Sequence, residues 1–279
     1  MPRRATPGMD KERLQQDLTA LGLEAGDLVM VHASLRSIGL ARTEHGEGGA
    51  DLLVDAIEAA VGPGGTLMMV LGTDYPMDWV YDHPPGARAT LLEGAPPFDH
   101  RNAAVLPEMG WLAEAFRRRP GTLVSDNPSG RFGARGARAA ALLADQPWDD
   151  YYGPGSPLDK LCRWRGRILR LGAASESVTA LHFAEYLADL PDKKRVRWDY
   201  VVAGADGAPR HVWIDCLDDL GGIADWDGED YFASILDAYL ALGRHRAGLV
   251  GKAQSELIDA ADIVRFGARW METNLAAPA

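Results

Sequence analysis

The sequence predicts an α/β protein with a mixed, largely parallel central sheet flanked by helices, and three observations carry that prediction. Short apolar runs of strand length recur at 28–31 (LVMV), 66–71 (TLMMVL) and 167–171 (RILRL). Stretches of helical periodicity alternate with them, and glycine-rich stops such as GPGG at 62–65 separate the two. A nearly continuous apolar run suits a strand covered on both faces, and the alternation of such strands with helices is the signature of parallel pairing.

Each element follows in order. Residues 11–21 set Leu14, Leu18 and Leu21 at helical spacing, with Gly22 as the C-cap. The run 28–31 is the first strand, and HASLRSIG lies at its end. Residues 51–61 form an amphipathic helix that GPGG stops before the second strand at 66–71. From Gly72 to Pro107 the periodicity fails, and proline, glycine, aspartate and aromatic residues dominate. So long a stretch without regular elements is functional or disordered, and its aromatics argue against disorder. Residues 107–118 restore a helical pattern, 167–171 is a third strand, and GAASES leads from it into a helix from about 178 to 190. Residues 200–204 and 211–217, separated by ADGAP, read as a hairpin. Residues 231–242 are a helix closed by Gly243, and the remainder reads as a short exposed-to-buried crossover and a last amphipathic helix.

Composition narrows the function. A 279-residue chain that is 47% hydrophobic and 25% charged can bury a large core, as one domain or as two packed lobes. No apolar run approaches bilayer length, and MPRRATPGMDKERL lacks the apolar stretch of a secretory signal, so a cytoplasmic protein without a membrane partner is expected. Cys162 and Cys216 have neither disulfide-framework nor metal-ligand spacing and read as small buried residues. The net charge of −11 repels nucleic acid and attracts a cationic ligand, although an acidic surface also serves solubility alone. Nothing in the sequence speaks to oligomeric state.

Five stretches, together running nearly end to end, resemble the aminoglycoside 3-N-acetyltransferases. They are DLTALGLEAGDLVMVHASLRSIG (17–39), VGPGGTLMM (61–69), PPFD (96–99), SPLDKLCRWRGRILRLGAASESVTALHFAEYLADLPDKKRV (156–196) and GRHRAGLVGKAQSELIDAADIVRFGARWME (243–272). The resemblance implies the antibiotic N-acetyltransferase fold as a single domain over 1–279, with 72–107 as an irregular substrate-binding segment. It implies transfer of acetyl from acetyl-CoA to an amine of an aminoglycoside antibiotic, the 3-amine of deoxystreptamine first among them, with the antibiotic and CoA as partners and no metal. A short pattern of the unrelated Gcn5-type enzymes, R-x-x-G-x-A, also occurs at Arg36 to Ala41, but so few constraints carry little weight.

The chemistry assigns the residues. An amine at neutral pH is mostly ammonium, so the reaction needs a base that accepts a proton near pH 7, and histidine is the natural one. His182 in TALHFAE matches the family's catalytic-histidine block. A carboxylate should fix its tautomer. By the resemblance that is Asp218 in WIDCLDDLGGI, with Asp215 as the second candidate. Glu185 shares the His182 face of the helix, so it either binds substrate ammonium groups or orients the histidine. H-x-x-E also suggests a metal, but no second such pair is present, and a metal site is rejected.

His32, Ser34, Leu35 and Arg36 match the family's CoA turn, while Ser177, Val178 and Thr179 open the catalytic helix toward the cofactor, where a serine could equally serve as N-cap. Asp74, Asp78, Asp82 and Asp99 would pair antibiotic ammonium groups, with Tyr75, Trp79 and Tyr81 as flat walls for sugar rings.

The sequence departs from the family at 125–136. Asn127 replaces a histidine and Arg131 a serine, in a segment expected to pack near the site. Those changes keep other acceptors in view, such as a 2′-amine or an aminoglycoside-like sugar. A non-catalytic protein that sequesters the antibiotic is the alternative from another class.

Overall fold

The structure is a computed structural model and describes residues 9–40, 48–75, 77–204, 206–227 and 230–275. Ala41 of the short R-x-x-G-x-A match and Pro76 of the irregular segment lie outside the described residues.

The chain opens with α1 (Lys11–Leu21), whose first turn is capped by Asp10 accepting from the Arg13 N–H at 2.8 Å. Leu14, Leu18 and Leu21 are buried, and Gly22 ends the helix at φ 107°, a conformation natural only to glycine. Then come β1 (Leu28–Ala33), the single turn α2 (Leu35–Ile38), α3 (Gly48–Val61) and β2 (Thr66–Val70). A 3-10 turn (Asp78–Asp82), α4 (Pro85–Leu91) and a second 3-10 turn (Pro107–Met109) lead to α5 (Gly110–Arg118). The middle holds β3 (Leu123–Val124), β4 (Phe132–Gly136), α6 (Ala139–Leu143), α7 (Pro157–Arg163), β5 (Arg167–Leu171) and α8 (Leu181–Leu187). The last part is β6 (Arg195–Ala203), β7 (Pro209–Leu217), α9 (Tyr231–Ala241), β8 (Arg246–Val250), β9 (Ala253–Asp259) and α10 (Ala260–Asn274).

These strands form a mixed seven-stranded sheet of order β3-β4-β2-β1-β5-β9-β8, and β6 and β7 form a separate two-stranded ribbon. Successive residues of β1 point to opposite faces. Leu28 and Met30 join the core beneath α7 to α10, whereas Val29 and Val31 join the core beneath α1, α3 and α5.

Parallel pairing is confined to the centre, where β1 lies between β2 and β5. The flanking pairs β2·β4, β3·β4, β5·β9 and β8·β9 are antiparallel. The stretch read as a crossover before the last helix is the β8–β9 hairpin. Its turn at Gly251 and Lys252 is too short to return a parallel strand, so the two pair antiparallel.

The helix expected from about 178 to 190 is shorter. Residues 178–180 make a tight turn instead, with Leu181 N–H bonding to Val178 O at 2.9 Å and His182 N–H to Thr179 O at 3.0 Å. No side chain caps the helix, so neither Ser175 nor Ser177 is its N-cap.

Segment 72–107 is ordered by partners outside itself. Phe98 N–H donates to Val201 O at 2.7 Å, which docks it on the ribbon. At its base Arg131, fully buried, donates to the carbonyls of Gly72, His100, Ala103 and Ala104 at 2.6–3.1 Å. One guanidinium thus serves four backbone acceptors of the irregular chain, of which Ala104 O also accepts from the Asp74 N–H at 3.3 Å.

Candidate active site

His182 sits in the first turn of α8, where three clefts meet. Its ring stacks on Tyr152 (centroids 5.0 Å apart, planes 15° apart) and meets Phe232 edge-on at 4.8 Å. Nδ1 lies 2.8 Å from Glu185 Oε2, one helical turn on. Glu185 is buried, and its other oxygen accepts from the Tyr231 hydroxyl. An ionised carboxylate only accepts, so Nδ1 carries the proton and Nε2 is left as the basic nitrogen.

The electrostatics agree with that assignment. Burial draws the His182 pKa down, but the charge and hydrogen bond of Glu185, with Asp219 and Asp230 behind them, outweigh it and hold it above an imidazole's ordinary value.

Glu185 therefore takes the orienting position expected of Asp218 or Asp215. The Asp218 carboxylate turns back onto its own loop, accepting from the N–H groups of Leu220 at 3.2 Å and Gly221 at 2.6 Å. Asp215 sits on an exposed position of β7, cross-strand from Arg197. Neither hydrogen bonds to His182. Each Glu185 oxygen already has one partner, and the residue borders the acidic cleft beside His182.

The neighbouring Asp219 is the carboxylate that reaches the junction. It lines two of the clefts beside His182, its Oδ2 accepts from Tyr151 Oη at 2.6 Å, and its buried Oδ1 has no partner. Burial raises its pKa, and the countering effects of His182 and the Tyr151 bond do not cancel that rise.

The first cleft, of about 510 Å³, runs from the end of β1 to His182 and is lined by His32, Ser34, Ala173, Ala174, Ser177 and Thr179 among others. Arg170 holds its floor by donating to the carbonyls of Ala173 at 2.8 Å and Ala174 at 3.0 Å. His32 is buried with Nε2 unpartnered, and burial, then the Arg170 charge, lower its pKa to about 3. Ser34 caps α2 by accepting from Ser37 N–H at 3.2 Å. The other expected CoA residues stand outside the cleft. Val178 is fully buried in the core, Leu35 packs half-buried on the opposite core, and Arg36 is exposed.

The second cleft, of about 400 Å³, is acidic, with Glu176, Asp219, Asp225 and Asp230 against Lys194. Lys194 is already paired with Asp225 at 2.5 Å. The third, of about 430 Å³, is aromatic, lined by Tyr81, Tyr151, Tyr152, Trp198 and Tyr200 with Asp78 and Asp219.

Of the aspartates expected to bind the acceptor, only Asp78 lines a cleft with His182, and burial, then Asp74, raise its pKa to about 6. Asp74 is exposed beside it, and Asp82 is exposed away from the junction. Asp99 is consumed by its own turn, accepting from Arg101 N–H at 3.0 Å and from Asn102 Nδ2 at 2.8 Å. Tyr75 is buried, its Oη accepting from Val201 N–H at 3.2 Å and its ring 4.8 Å from Tyr200, so it supports the wall instead of forming it. Trp79 is half exposed against His83, outside the clefts, and of the expected flat walls only Tyr81 lines one.

Asn127 and Arg131 are buried behind the site and do not line it. Asn127 ties its own turn to the carbonyls of Pro147 and Trp148, while Pro128 and Ser129 border the aromatic cleft.

Sequence reasoning missed Asp219, Glu176, Asp230, Trp198 and Tyr200. The acidic doublet at 218–219 and the acid-rich 225–230 were visible signals, but which member of a doublet faces inward depends on where the strand ends.

Comparison with known proteins matches this geometry to one family. The sequence model described as aminoglycoside 3-N-acetyltransferase matches residues 30–272. Aminoglycoside N(3)-acetyltransferase VII of Streptomyces paromomycinus is 39% identical over 98% of this chain and 95% of its own. Among solved structures, the aminoglycoside acetyltransferase AAC(3)-Xa superposes with a TM-score of 0.88 at 40% identity, covering 96% of this chain and 94% of its own. AAC-IIIb in a binary complex with CoASH superposes at 0.87 with 38% identity, over 97% of this chain and 99% of its own. With a family match over most of its length and full-length relatives of this similarity, the chain belongs to the aminoglycoside 3-N-acetyltransferase family.

Proposed function

We propose that this chain, an acetyl-CoA-dependent aminoglycoside N-acetyltransferase by family, acetylates the 3-amine of deoxystreptamine antibiotics with His182 as general base and Glu185 as its orienting carboxylate. The observation that carries the reading is the meeting of three clefts at one histidine whose Nδ1 is tied to a buried carboxylate. Acetyl-CoA takes the cleft that runs from the end of β1 to His182. The antibiotic takes the acidic and aromatic clefts, with an ammonium beside the orphaned oxygen of Asp219.

In the reaction Nε2 of His182 takes a proton from the acceptor amine while the nitrogen attacks the thioester carbonyl carbon. The C–N bond forms, the C–S bond breaks, and the imidazolium returns its proton to the leaving CoA thiolate. Direct transfer is supported by the state of the thiols. Burial raises the pKa of both Cys162 and Cys216 to about 12, and neither lines a cleft with His182.

The reaction's place is the cytoplasm, where acetyl-CoA is made. Among the described residues no helix is long and apolar enough to cross a membrane.

The test follows CoA release with a thiol reagent over a panel of aminoglycosides, with His182→Ala beside the parent, and maps the acetylated nitrogen. Turnover lost in the variant, with the product acetylated at the 3-amine, is expected. Antibiotic binding without turnover would replace the reading by sequestration, and a product acetylated at another nitrogen would correct the regiochemistry.

A further inference from the structure

Asp199, in the middle of β6, is a fully buried carboxylate outside the clefts. A buried charge persists only when paired, and this one has three partners. Oδ1 accepts from Arg197 Nη2 at 2.8 Å and lies 3.0 Å from His211 Nε2, both from the ribbon itself. Oδ2 meets Arg88 Nη1 at 3.3 Å, and Arg88 comes from α4, far away in sequence.

Arg88 makes further bonds on both sides of that junction. It donates to Arg197 O on the ribbon at 2.8 Å and to His83 O at 3.0 Å, just before its own helix. Its guanidinium lies 5.1 Å over the ring of Tyr81, whose hydroxyl donates to Asp199 O at 2.9 Å and whose ring meets Trp198 edge-on at 4.9 Å. Tyr81 and Trp198 are the outer wall of the aromatic cleft.

Apolar packing holds that wall in part, with Val80 in the core and Tyr81 and Trp198 half-buried against it. None of the residues of α4 is buried, and in the preceding 3-10 turn only Val80 is. The polar attachment of this stretch to the ribbon is centred on Asp199 and Arg88.

We infer that the Arg88–Asp199 ion pair is a positioning latch that fixes the Tyr81–Trp198 wall against the ribbon and so sets the affinity for the acceptor. The inference rests on the assignment of the aromatic cleft to the acceptor. Neither residue touches substrate. Their effect passes through the placement of Tyr81, Trp198 and the nearby Asp78.

The test compares the parent with Arg88→Met and Arg88→Lys in steady-state kinetics and in amide hydrogen exchange over residues 78–91. Arg88→Met is expected to raise the KM for the aminoglycoside at least about fivefold, with kcat and the KM for acetyl-CoA held within about twofold, and Arg88→Lys to recover part of the loss. Exchange over 78–91 should quicken in Arg88→Met. Should that variant not fold, Asp199→Asn, which keeps the shape of the side chain, takes its place with the same expectation. An unchanged acceptor KM, or an equal rise in the KM for acetyl-CoA, overturns the inference. A parent that turns over no aminoglycoside counts against the proposed function alone. Exchange then decides the latch, quickening supporting it and unchanged rates overturning it.

Discussion

At the scale of single residues the site is a chain of dependencies. Tyr231 and His182 divide the two oxygens of Glu185, and the histidine keeps only Nε2 for chemistry. His182→Gln should therefore lower kcat by about two to four orders of magnitude, the usual worth of a positioned general base, with the melting temperature little changed. Glu185 raises the pKa of His182, so removing its charge lowers that pKa. In Glu185→Gln the acid limb of the kcat profile should move to lower pH while the plateau falls, which a pH–rate series on both proteins measures. Asp219→Asn should raise the KM for the antibiotic more than that for acetyl-CoA, since its unpartnered Oδ1 is the acceptor an ammonium would use. His182 stood out through its match to the family's catalytic-histidine block, and Glu185 because a helical spacing of three places it on the same face. Asp219 was not, because it and Asp218 differ only in which side of a turn each faces, and β7 ends at Leu217.

At the scale of elements, legibility followed burial on two faces. β1, β2 and β5 lie in the centre of the sheet, and their apolar runs announce them. β8 is an edge strand with an exposed Leu249, so its pattern carries no such signal, and the hairpin with β9 was misread as a crossover. Segment 72–107 looked structureless because its elements, a 3-10 turn and the short α4, are brief and held by distant partners, Arg131 at its base and the ribbon beside it. Arg131→Met would take the guanidinium donors from the carbonyls of Gly72, His100, Ala103 and Ala104, of which, among the described residues, only Ala104 O keeps another donor, the Asp74 N–H at 3.3 Å. We expect a loss of about 3 kcal/mol in denaturant unfolding, with the acceptor KM raised, as unpaired buried groups cost about 1–3 kcal/mol each and do not add fully. The arginine was visible only as a departure from the family, and nothing in the sequence named its four distant acceptors.

At the scale of the whole molecule, burial at the end of the central strand makes stability depend on pH. His32, at the end of the central strand, has a folded pKa depressed to about 3. A depressed pKa gives stability that is present above the unfolded value and lost as pH falls toward the folded one, because the unfolded chain takes up the proton first. Between about pH 6.5 and pH 3 the parent should lose stability that His32→Gln does not, so urea midpoints across that range should fall less steeply in the variant.

The sheet order has a consequence for synthesis. β1 and β5 are neighbours, but the far side of β5 is closed only by β9, and the Gly251 N–H of the last hairpin bonds at 3.0 Å to Asp17 in α1 across 234 residues of chain. A ribosome delivers α1 and β5 well before the hairpin that completes them. Until Ser255 and Leu257 emerge, the nascent chain presents an apolar strand with an open edge, the kind of surface that pairs with other chains and that chaperones cover. Translation speed and chaperone supply, more than the stability of the finished fold, would then govern how much active enzyme a cell obtains from each message.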